Sequence, residues 1–549
     1  MLHLMASIGS VRSPRGRVSA PVPQGFLRLT SLLAVALASL GIAAAQAPGP
    51  LNPPPVPPEN PITQPKTILG KILFWDEQMS SHNTMACGGC HKAAAGGSDP
   101  RIAINPGPDA FQPTVDDIAG SPGVTHRDAF GNPVNDPIYG FGVQVTGRAA
   151  NAFIMAAYAP ENFWDGRARS TFVNPETGTT SVLNGGGLES QAVGPILSSV
   201  EMAHESRTWN DVRTKLTGAL PLGDATDLPN DLANALATHP TYPQLFQAAF
   251  GDPTITAERI AYAIATYERT LVPNQTPWDQ FVAGNPAAMT QSQINGWNLF
   301  RNSPCSVCHA PPTFTVPPGA PGGPFRNIGI RPPDEDLGRQ IVTNNPLDRG
   351  RFKVPTLRNA GLKPTHMHNG RITTMSDAVL WYRTANPQRS ADNLDPILPV
   401  NVPPQGLTDL VNFLTNALTD PRVAAETFPF DRPTLHGGDL PALSVGTDHQ
   451  TLSWPTLAGV SRYNVYRGTL ADLRTLGPDG LPAQGFGYCV SATEPNTADT
   501  AFLDTQVPDP GTGFFYLKDV IDAHGEERGL GATSDGRPHT VLAPCPPPS

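Results

Sequence analysis

The sequence predicts a mainly α-helical protein made of two related helical domains, followed by a small all-β sandwich. Apolar residues recur at helical spacing in stretches such as 260–271 and 407–418. The pattern Gly-x-x-Leu-Phe occurs at 70–74 and 296–300, each time just before a Cys-x-x-Cys-His motif. Such an internal duplication indicates two units of the same kind. After about residue 436, short strand-like runs separated by Gly, Pro and Asp replace the helical spacing.

Length and composition narrow the class of protein. A chain of 549 residues is long enough for three to four domains, at roughly 150 residues per domain. The net charge is −10 and Lys and Arg form no cluster, which argues against a nucleic-acid-binding protein. Hydrophobic residues make up 39% and charged residues 15%, so sizeable buried cores are possible. The 62 prolines and 52 glycines are spread along the chain and predict long loops.

Residues 1–47 have the pattern of an export signal peptide. Arginines between residues 12 and 28 precede an apolar stretch at 32–42, and small residues follow. The alternative is a transmembrane anchor, but the apolar stretch is short for a bilayer. We therefore expect a periplasmic or secreted protein whose mature chain has no membrane span. The Pro-rich residues 48–62 predict an extended linker after the signal.

Four of the six cysteines lie in the two Cys-x-x-Cys-His motifs. These motifs comprise Cys87, Cys90 and His91, and Cys305, Cys308 and His309. The two thiols of such a motif form thioethers with the vinyl groups of haem, and the histidine then binds the iron. A zinc site would need four ligands close together, and a thioredoxin-like redox pair would need a βαβ context. The motifs therefore predict two covalently bound c-type haems, with His91 and His309 as iron ligands.

The last predicted domain spans residues 436–549. Its pattern Trp-Pro…Tyr-Asn-Val-Tyr-Arg-Gly, from Trp454 to Gly468, resembles fibronectin type III-like modules appended to bacterial exported proteins. The two remaining cysteines, Cys489 and Cys545, both lie in this region, and an exported chain favours a disulfide between them. We find no catalytic constellation there and expect a packing or docking module.

Further motifs follow one another in a fixed order between about residues 65 and 435. They are Phe-Trp-Asp-Gly-Arg at 163–167, Gln191, Pro195 and Glu201-Met202, Glu-Arg-Thr-Leu at 268–271, Asp-Leu-Gly-Arg at 336–339, Phe-Lys-Val-Pro-Thr-Leu-Arg-Asn at 352–359, and His-Asn-Gly at 368–370. In this order they resemble the bacterial dihaem cytochrome c peroxidases and the related MauG-like enzymes. The resemblance implies two cytochrome c-like haem domains. It assigns residues 63–285 to a peroxidatic domain and 286–435 to an electron-transfer domain.

The resemblance also implies a distal pocket at the first haem, containing Glu201 and Gln191. A carboxylate within hydrogen-bond reach can take a proton from one peroxide oxygen and deliver it to the other. A neutral amide can orient peroxide and stabilise developing charge. Pro195 matches a proline of the pocket wall. The alternative is that Glu201 and Gln191 are solvated surface residues.

Trp164 matches a tryptophan that lies between the two haems and assists electron transfer. Its alternative role, a core residue that holds two domains together, is compatible with the first. Arg167 either pairs with a haem propionate or only with Asp165.

The sixth ligand of the second haem separates the subclasses, because the peroxidases have Met there and MauG-like proteins have Tyr. A gap-free alignment from His368 places Tyr382 at this position. A phenolate favours ferric and higher iron states, whereas Met raises the reduction potential. Met375 is the rival ligand, and a buried core role is the alternative for Tyr382.

Two departures from the family pattern concern a cation and a histidine. The family's calcium site uses an Asn after an Arg and carbonyls of a Thr-x-Pro stretch, but Ala149 follows Arg148, and Lys363 and Thr365 occupy the Thr and Pro positions. Calcium is therefore doubtful, and Lys363 is predicted to occupy the cation position. His126 is the only nearby candidate for the family's movable distal histidine, although a lone loop histidine is usually solvated.

These features predict an enzyme that reduces hydrogen peroxide to water with electrons from a small periplasmic cytochrome c or copper protein. One alternative is a MauG-like enzyme that uses peroxide to oxidise a protein or organic substrate. The other is a dihaem electron carrier without enzymatic activity.

Overall fold

The structure is a computed structural model, and it describes residue 49, residues 51–435 apart from 141, 318, 321, 333 and 384–392, and parts of 443–545. The predicted signal peptide at 1–47 lies outside the described residues, as do residues 48 and 50 of the linker. Among the described helices, none combines the length and the apolar character needed to cross a bilayer.

In the part of the chain that the structure describes, the first helical unit is formed by seven helices and three two-stranded hairpins. The helices are α1 (Gln64–Trp75), α2 (Cys87–Cys90), α3 (Gly187–Ile196), α4 (Trp209–Gly218), α5 (Asn230–Thr238), α6 (Tyr242–Phe250) and α7 (Ala257–Thr270). The strands are β1 (Ala103–Asn105), β2 (Ile118–Gly120), β3 (Pro122–Thr125), β4 (Val143–Val145), β5 (Phe172–Val173) and β6 (Thr180–Val182). They pair in sequence order, antiparallel. The predicted helices are confirmed, and the hairpins occupy long loops in which the sequence showed little strand-like alternation.

The second helical unit repeats this plan in shorter form. Its helices are α8 (Pro277–Val282), α9 (Gln291–Arg301), α10 (Cys305–Cys308), α11 (Gln340–Thr343), α12 (Met375–Arg383), α13 (Leu407–Asn412), which continues as a π-helix at Phe413–Ala417, and α14 (Pro421–Ala424). One hairpin pairs β7 (Phe325–Arg326) with β8 (Phe352–Lys353). Short 3₁₀ turns lie at Glu77–Met79, Ala93–Ala95, Ala156–Tyr158, Pro286–Ala288, Pro346–Asp348, Ala360–Leu362 and Pro404–Gly406.

The duplicated Gly-x-x-Leu-Phe pattern has a packing reason in both units. A Cβ on Gly70 of α1 would lie 1.9 Å from the carbonyl oxygen of Ala263 in α7. A Cβ on Gly296 of α9 would lie 2.1 Å from the carbonyl oxygen of Asp409 in α13. In each unit the helix before the Cys-x-x-Cys-His motif therefore crosses a later helix so closely that only glycine fits. The Phe74 ring lies 6.4 Å from the ring of His91, and Phe300 belongs to the core against which Cys305 packs.

Two hydrophobic cores support these units, and the chain crosses between them twice. The first core contains α1, α6 and α7, and it also contains Val423, Phe430 and Leu435 from the end of the second unit. The second core contains α9 and α13, together with Trp278 of α8, and Trp278 contacts Phe314 edge to face. The predicted boundary between residues 285 and 286 stays a prediction. The packing associates α8 with the second core and residues 423–435 with the first.

The C-terminal part contains two small sheets. One has the strand order β13 (Ala501–Leu503), β10 (Thr451–Ser453) and β9 (Ser444–Val445), and the other β12 (Tyr488–Cys489), β11 (Val460–Thr469), β14 (Phe514–Asp522) and β15 (Glu527–Arg528). A short helix, α15 (Leu470–Arg474), follows β11. The predicted disulfide between Cys489 and Cys545 is confirmed. The fibronectin type III-like sandwich itself stays a prediction.

Candidate active site

Each Cys-x-x-Cys-His motif borders its own cavity, and the two cavities differ in size. The first has a volume of about 740 Å³ and the second about 170 Å³. The first is lined by residues that include Cys87, Cys90, His91, Trp164, Gln191, Pro195 and Glu201. The second is lined by residues that include Cys305, Cys308, His309, Trp164, Lys363, His368, Met375 and Tyr382. The structure therefore places the predicted site residues at two cavities, and Trp164 lines both.

The two histidines are prepared as metal ligands in the same way. His91 Nδ1 lies 3.2 Å from the carbonyl oxygen of Gly97, and His309 Nδ1 lies 3.1 Å from that of Phe314. A hydrogen on Nδ1 satisfies this contact and leaves Nε2 unprotonated, as a metal ligand requires. Burial lowers the pKa of His91, and it lowers the pKa of His309 to about 4, so both rings are neutral near pH 7.

The four motif cysteines are free thiols in the structure. Burial raises the pKa of Cys87 to about 12 and also raises the pKa of Cys90, Cys305 and Cys308. A paired thiol and a neutral histidine at each cavity fit the attachment of a haem by two thioethers and one axial nitrogen. Among the described residues, no group of three or more His, Cys, Asp or Glu side chains is placed to hold a metal ion.

Helix α3 presents one face to the first cavity. Leu188, Gln191, Ala192 and Pro195 line the cavity and are spaced by three or four residues, so they share a side of the helix. A neighbouring side of the helix is anchored by Glu189, whose carboxylate accepts hydrogen bonds from Arg269 of α7 at 2.6 and 2.8 Å. Both partners of this ion pair are almost completely buried. The pair holds α3 on α7 and thereby fixes Gln191 at the cavity.

Glu201 reaches the first cavity from the turn that follows α3. Its backbone N–H donates to the carbonyl oxygen of Ser198, and the side chain lines the cavity. Burial raises the pKa of the Glu201 carboxyl, while the nearby charge of Arg167 acts in the opposite direction. A carboxyl with a raised pKa in a cavity suits proton transfer near neutral pH. The alternative of a solvated surface residue does not fit this position.

Trp164 is held in place between the two cavities. Its side chain is 5% exposed, and its Nε1–H donates to the carbonyl oxygen of Ala149 at 2.8 Å. Its own carbonyl oxygen accepts from the backbone N–H of Lys353 at 2.7 Å. Next to it, Arg148 bonds Asp165 of the first unit and Asp336 of the second, each at 2.7 Å. The two predicted roles of Trp164, relay and domain contact, are both compatible with this position.

Arg167 pairs with Asp165 at 3.1 Å, and its guanidinium carbon lies 3.6 Å from the centre of the Phe163 ring. The side chain is half exposed and also lines the first cavity. The pairing with Asp165 is present, and the guanidinium lies at the cavity wall, where pairing with a haem propionate stays a prediction. From there its positive charge acts on Glu201.

Helix α12 brings both candidate sixth ligands to the second cavity. Met375 and Tyr382 are seven residues apart, or about two helical turns, and both line the cavity together with Ala378 and Val379. One face of one helix thus carries both side chains. Tyr382 as the sixth ligand stays a prediction.

His126 is not among the residues that line the first cavity, but it contacts one of them, Asp136. Its Nε2 lies 2.8 Å from Glu205, and its Nδ1 lies 3.2 Å from Asp136. Between these two carboxylates the ring is engaged in ion pairs, and in this structure it does not act as a distal histidine.

Several cavity residues were not singled out from the sequence. Asp136, Pro137, Ile138 and Tyr139 line the first cavity from a long loop, and no periodicity or motif marked them. Glu268 was noted only within its motif, yet it lines the same cavity, and burial raises its pKa to about 8. A charged residue among the apolar residues of α7 was the available sign of its burial.

Comparisons with known proteins relate the chain to a family of sequences. A family model described as di-haem cytochrome c peroxidase matches residues 64–287. The chain is 30% identical over 358 residues to the "Cytochrome c551 peroxidase" of Nitrosomonas europaea, covering 64% of this chain and 82% of that protein. It is 27% identical over 346 residues to the "Methylamine utilization protein MauG" of Methylophilus methylotrophus, covering 62% and 79%. A crystal structure of a MauG-like protein associated with microbial copper homeostasis has a TM-score of 0.46 at 20% identity, covering 70% and 97%.

Proposed function

This chain belongs to the di-haem cytochrome c peroxidase family, and on that premise we propose that it reduces hydrogen peroxide to water at its first cavity. The protein is an oxidoreductase that acts on peroxide, as its relatives are. The alternative of an electron carrier without enzymatic activity is therefore set aside. The family implies two c-type haems, and the paired thiols and neutral histidines fit one haem at each cavity.

The first cavity is proposed as the peroxide site because of one difference between the two cavities. The first cavity is the larger one and contains the carboxyl of Glu201, whereas Met375 and Tyr382 line the second. A haem held by the first motif would supply an iron that binds peroxide and accepts its oxidising equivalents. Substrate then needs free space and an acid or base beside the iron, and only the first cavity combines both among the described residues.

Four residues of the first cavity have separate proposed roles in the reaction. The Glu201 carboxylate would take a proton from one peroxide oxygen and return it to the other, so that the O–O bond breaks and one water leaves. The remaining oxygen would leave as a second water after two electrons from the donor and two protons from solvent have been taken up. The Gln191 amide donates a hydrogen bond to the peroxide and keeps it oriented. Pro195 closes one wall and limits the size of what enters. Arg167 keeps the pKa of Glu201 from rising further, so the carboxyl can both accept and release a proton.

Electrons are proposed to enter at the second cavity and to pass Trp164 on their way to the first. The indole is readily oxidised, lines both cavities and is fixed by its bond to Ala149. The proposed donor is a small cytochrome c or copper protein in the periplasm. This location follows from the predicted signal peptide at residues 1–47.

The test uses the full-length exported protein with both haems attached. We expect peroxide to change the Soret absorption at a rate that stopped-flow mixing resolves, and two molecules of reduced cytochrome c or reduced copper protein to be oxidised per molecule of peroxide. A Soret band that does not respond to peroxide would contradict the proposal.

A second candidate function is favoured by the position of Tyr382 at the second cavity. In this MauG-like alternative, peroxide serves to oxidise a protein or organic substrate. Slow turnover of every reduced electron donor, combined with a rapid Soret response to peroxide, would favour it over the peroxidase. Low-temperature EPR of the ferric protein would show whether the second iron has a tyrosinate ligand.

We further propose that Lys363 takes the cation position between the two haems and that calcium is not needed. Ala149, at the position of the family's calcium-binding Asn, has no side-chain oxygen. The Lys363 side chain lines the second cavity and lies beside Gly96, which follows the first motif. Burial is the main reason why the pKa of His91 and of His366 is lowered, and the charge of Lys363 contributes in the same direction to both. Metal analysis that finds one calcium per chain, retained after chelation, would contradict this.

A further inference from the structure

We propose that His126 is a positioning residue that clamps a turn over the mouth of the first cavity, and that the clamp loosens as pH rises. The proposal rests on the first cavity being the place where peroxide enters. It gives a role to a histidine that does not reach the cavity itself.

The clamped segment is the turn at residues 136–140. Asp136 Oδ1 accepts from the backbone N–H groups of Ile138 at 2.8 Å and Tyr139 at 2.9 Å, and Asp136 and Gly140 exchange two backbone hydrogen bonds. Four successive residues of this turn line the first cavity. Ile138 is nevertheless 49% exposed, so the turn lies where the cavity meets solvent.

His126 joins this turn to the segment that carries Glu201. Its Nδ1 forms an ion pair with Asp136 at 3.2 Å, and its Nε2 bonds Glu205 at 2.8 Å. Glu205 follows Glu201 by four residues, and its backbone N–H donates to the carbonyl oxygen of Arg127. His126 is therefore fixed to the segment that carries Glu201 and Glu205, and its contact with Asp136 is the one that can open.

A carboxylate within 3.2 Å of each ring nitrogen favours a protonated imidazole. A neutral ring carries one unprotonated nitrogen, which would face a carboxylate without a hydrogen between them. The hydrogen bond to Glu205 is the main reason why the pKa of His126 is raised, and the charges of Glu205 and Asp136 add to it. The other titratable groups of these segments are Arg127, which bonds the carbonyl oxygen of Gly131, Asp128, which bonds Asn132, and His204, which bonds the carbonyl oxygen of Glu205.

The sign of the pH effect follows from the raised pKa. The stabilisation is complete below the ordinary pKa of histidine and is lost as pH rises through the higher pKa of the folded protein. The turn should therefore cover the cavity firmly in acid and open more often in alkali. Because peroxide is small, the covering matters most for bulkier molecules.

Amide hydrogen exchange tests the clamp directly in the haem-loaded protein. From about pH 5 to about pH 9, we expect the protection factors of residues 136–140, corrected for intrinsic exchange, to fall about fivefold, as one partly exposed ion pair would give. In His126→Gln they should be low at both pH values. His239→Gln, a histidine that lines neither cavity, is the matched control and should behave like the wild type.

A second measurement addresses entry to the cavity. Binding of imidazole to the ferric first haem should be faster in His126→Gln than in the wild type in acid, and equal in alkali. Protection at 136–140 that does not depend on pH, or that His126→Gln leaves unchanged, would overturn the clamp. A wild-type protein that shows the clamp but no Soret response to peroxide would instead contradict the proposed function.

Discussion

The two haem-binding halves are alike on the side that carries the Cys-x-x-Cys-His motif and different on the opposite side. On the shared side, a helix with a tightly packed glycine leads into the motif, and the motif histidine bonds a backbone carbonyl oxygen through Nδ1. On the other side, the first cavity has Gln191 and Glu201 and the second has Met375 and Tyr382.

This difference teaches where function is decided. On the side of the motif, both units have the same packing: a glycine of the preceding helix lies against the backbone of a later helix. The opposite side decides whether the iron keeps a free position for substrate or receives a ligand from the protein. Variants that exchange properties between the two opposite sides should therefore change chemistry, while variants on the shared side should change stability.

The largest effect is expected from Glu201→Gln, which removes the acid and keeps the size of the side chain. The reaction of the ferric protein with peroxide should slow by about 10²- to 10⁴-fold, as is typical for the loss of a general acid–base group. Stopped-flow absorption at the Soret band measures this rate. The control variant is Glu258→Gln. Glu258 belongs to α7 and does not line the cavity, so this variant should react at the wild-type rate. Equal rates for both variants would show that the first cavity does not use its carboxyl.

A smaller effect is expected from pH. Burial raises the pKa of Glu201, so the fraction in the basic form increases as pH rises through that pKa. The peroxide reaction should therefore accelerate by up to about tenfold per pH unit on the acid side and then level off. The same titration of Glu201→Gln should be flat in this range. If the reaction rate of Glu201→Gln still rises with pH in this range, another group transfers the proton, and Glu268 is the next candidate at this cavity.

Tyr382→Met tests the second cavity. If Tyr382 binds the iron, the reduction potential of the second haem should rise, because a thioether favours the ferrous state more than a phenolate does. Potentiometric titration followed by absorption spectroscopy measures the shift, and the first haem should titrate as before. Met375→Leu is the control on the same helix face. A shift in Met375→Leu and none in Tyr382→Met would make Met375 the ligand.

The smallest effects are expected on the shared side. Gly70→Ala and Gly296→Ala would each force a methyl group against a backbone carbonyl oxygen and should lower the free energy of unfolding by about 1–3 kcal/mol. Gly218→Ala is the control, because nothing lies within 4 Å of its added Cβ, and it should stabilise α4 by about 0.5–1 kcal/mol. Thermal unfolding of the haem-loaded proteins measures both. Similar destabilisation by all three substitutions would refute the packing explanation of the duplication.

The sequence could predict the parts of the site that depend on short-range spacing. The two haem motifs, the glycine-containing helices before them and the disulfide are each encoded within a few residues or by a simple count. Gln191, Glu201 and Trp164 were found through the family motifs, and the structure places them at the first cavity. Their chemical roles remain predictions that the variants above examine.

Other parts depend on contacts between distant residues and left no local pattern. The turn at 136–140 lines the cavity because a long hairpin connection folds back on the segment after α3. The ion pairs of His126 join residues 79 positions apart in one case. Helix α8 was assigned to the first domain by position, yet Trp278 is completely buried in the second core. Local sequence patterns do not predict these contacts between distant residues.

The return of residues 423–435 to the first core has a consequence for how the protein is made. Lys71 of α1 pairs with Asp431 at 3.1 Å, the guanidinium of Arg432 lies over the Trp75 ring, and Thr434 exchanges two backbone hydrogen bonds with Thr226. The first hydrophobic core is thus completed by almost the last segment before the β-rich end. During synthesis the first core therefore stays incomplete until some 430 residues have been made. If the first motif binds its haem through thioethers, this interval leaves its two thiols accessible for attachment.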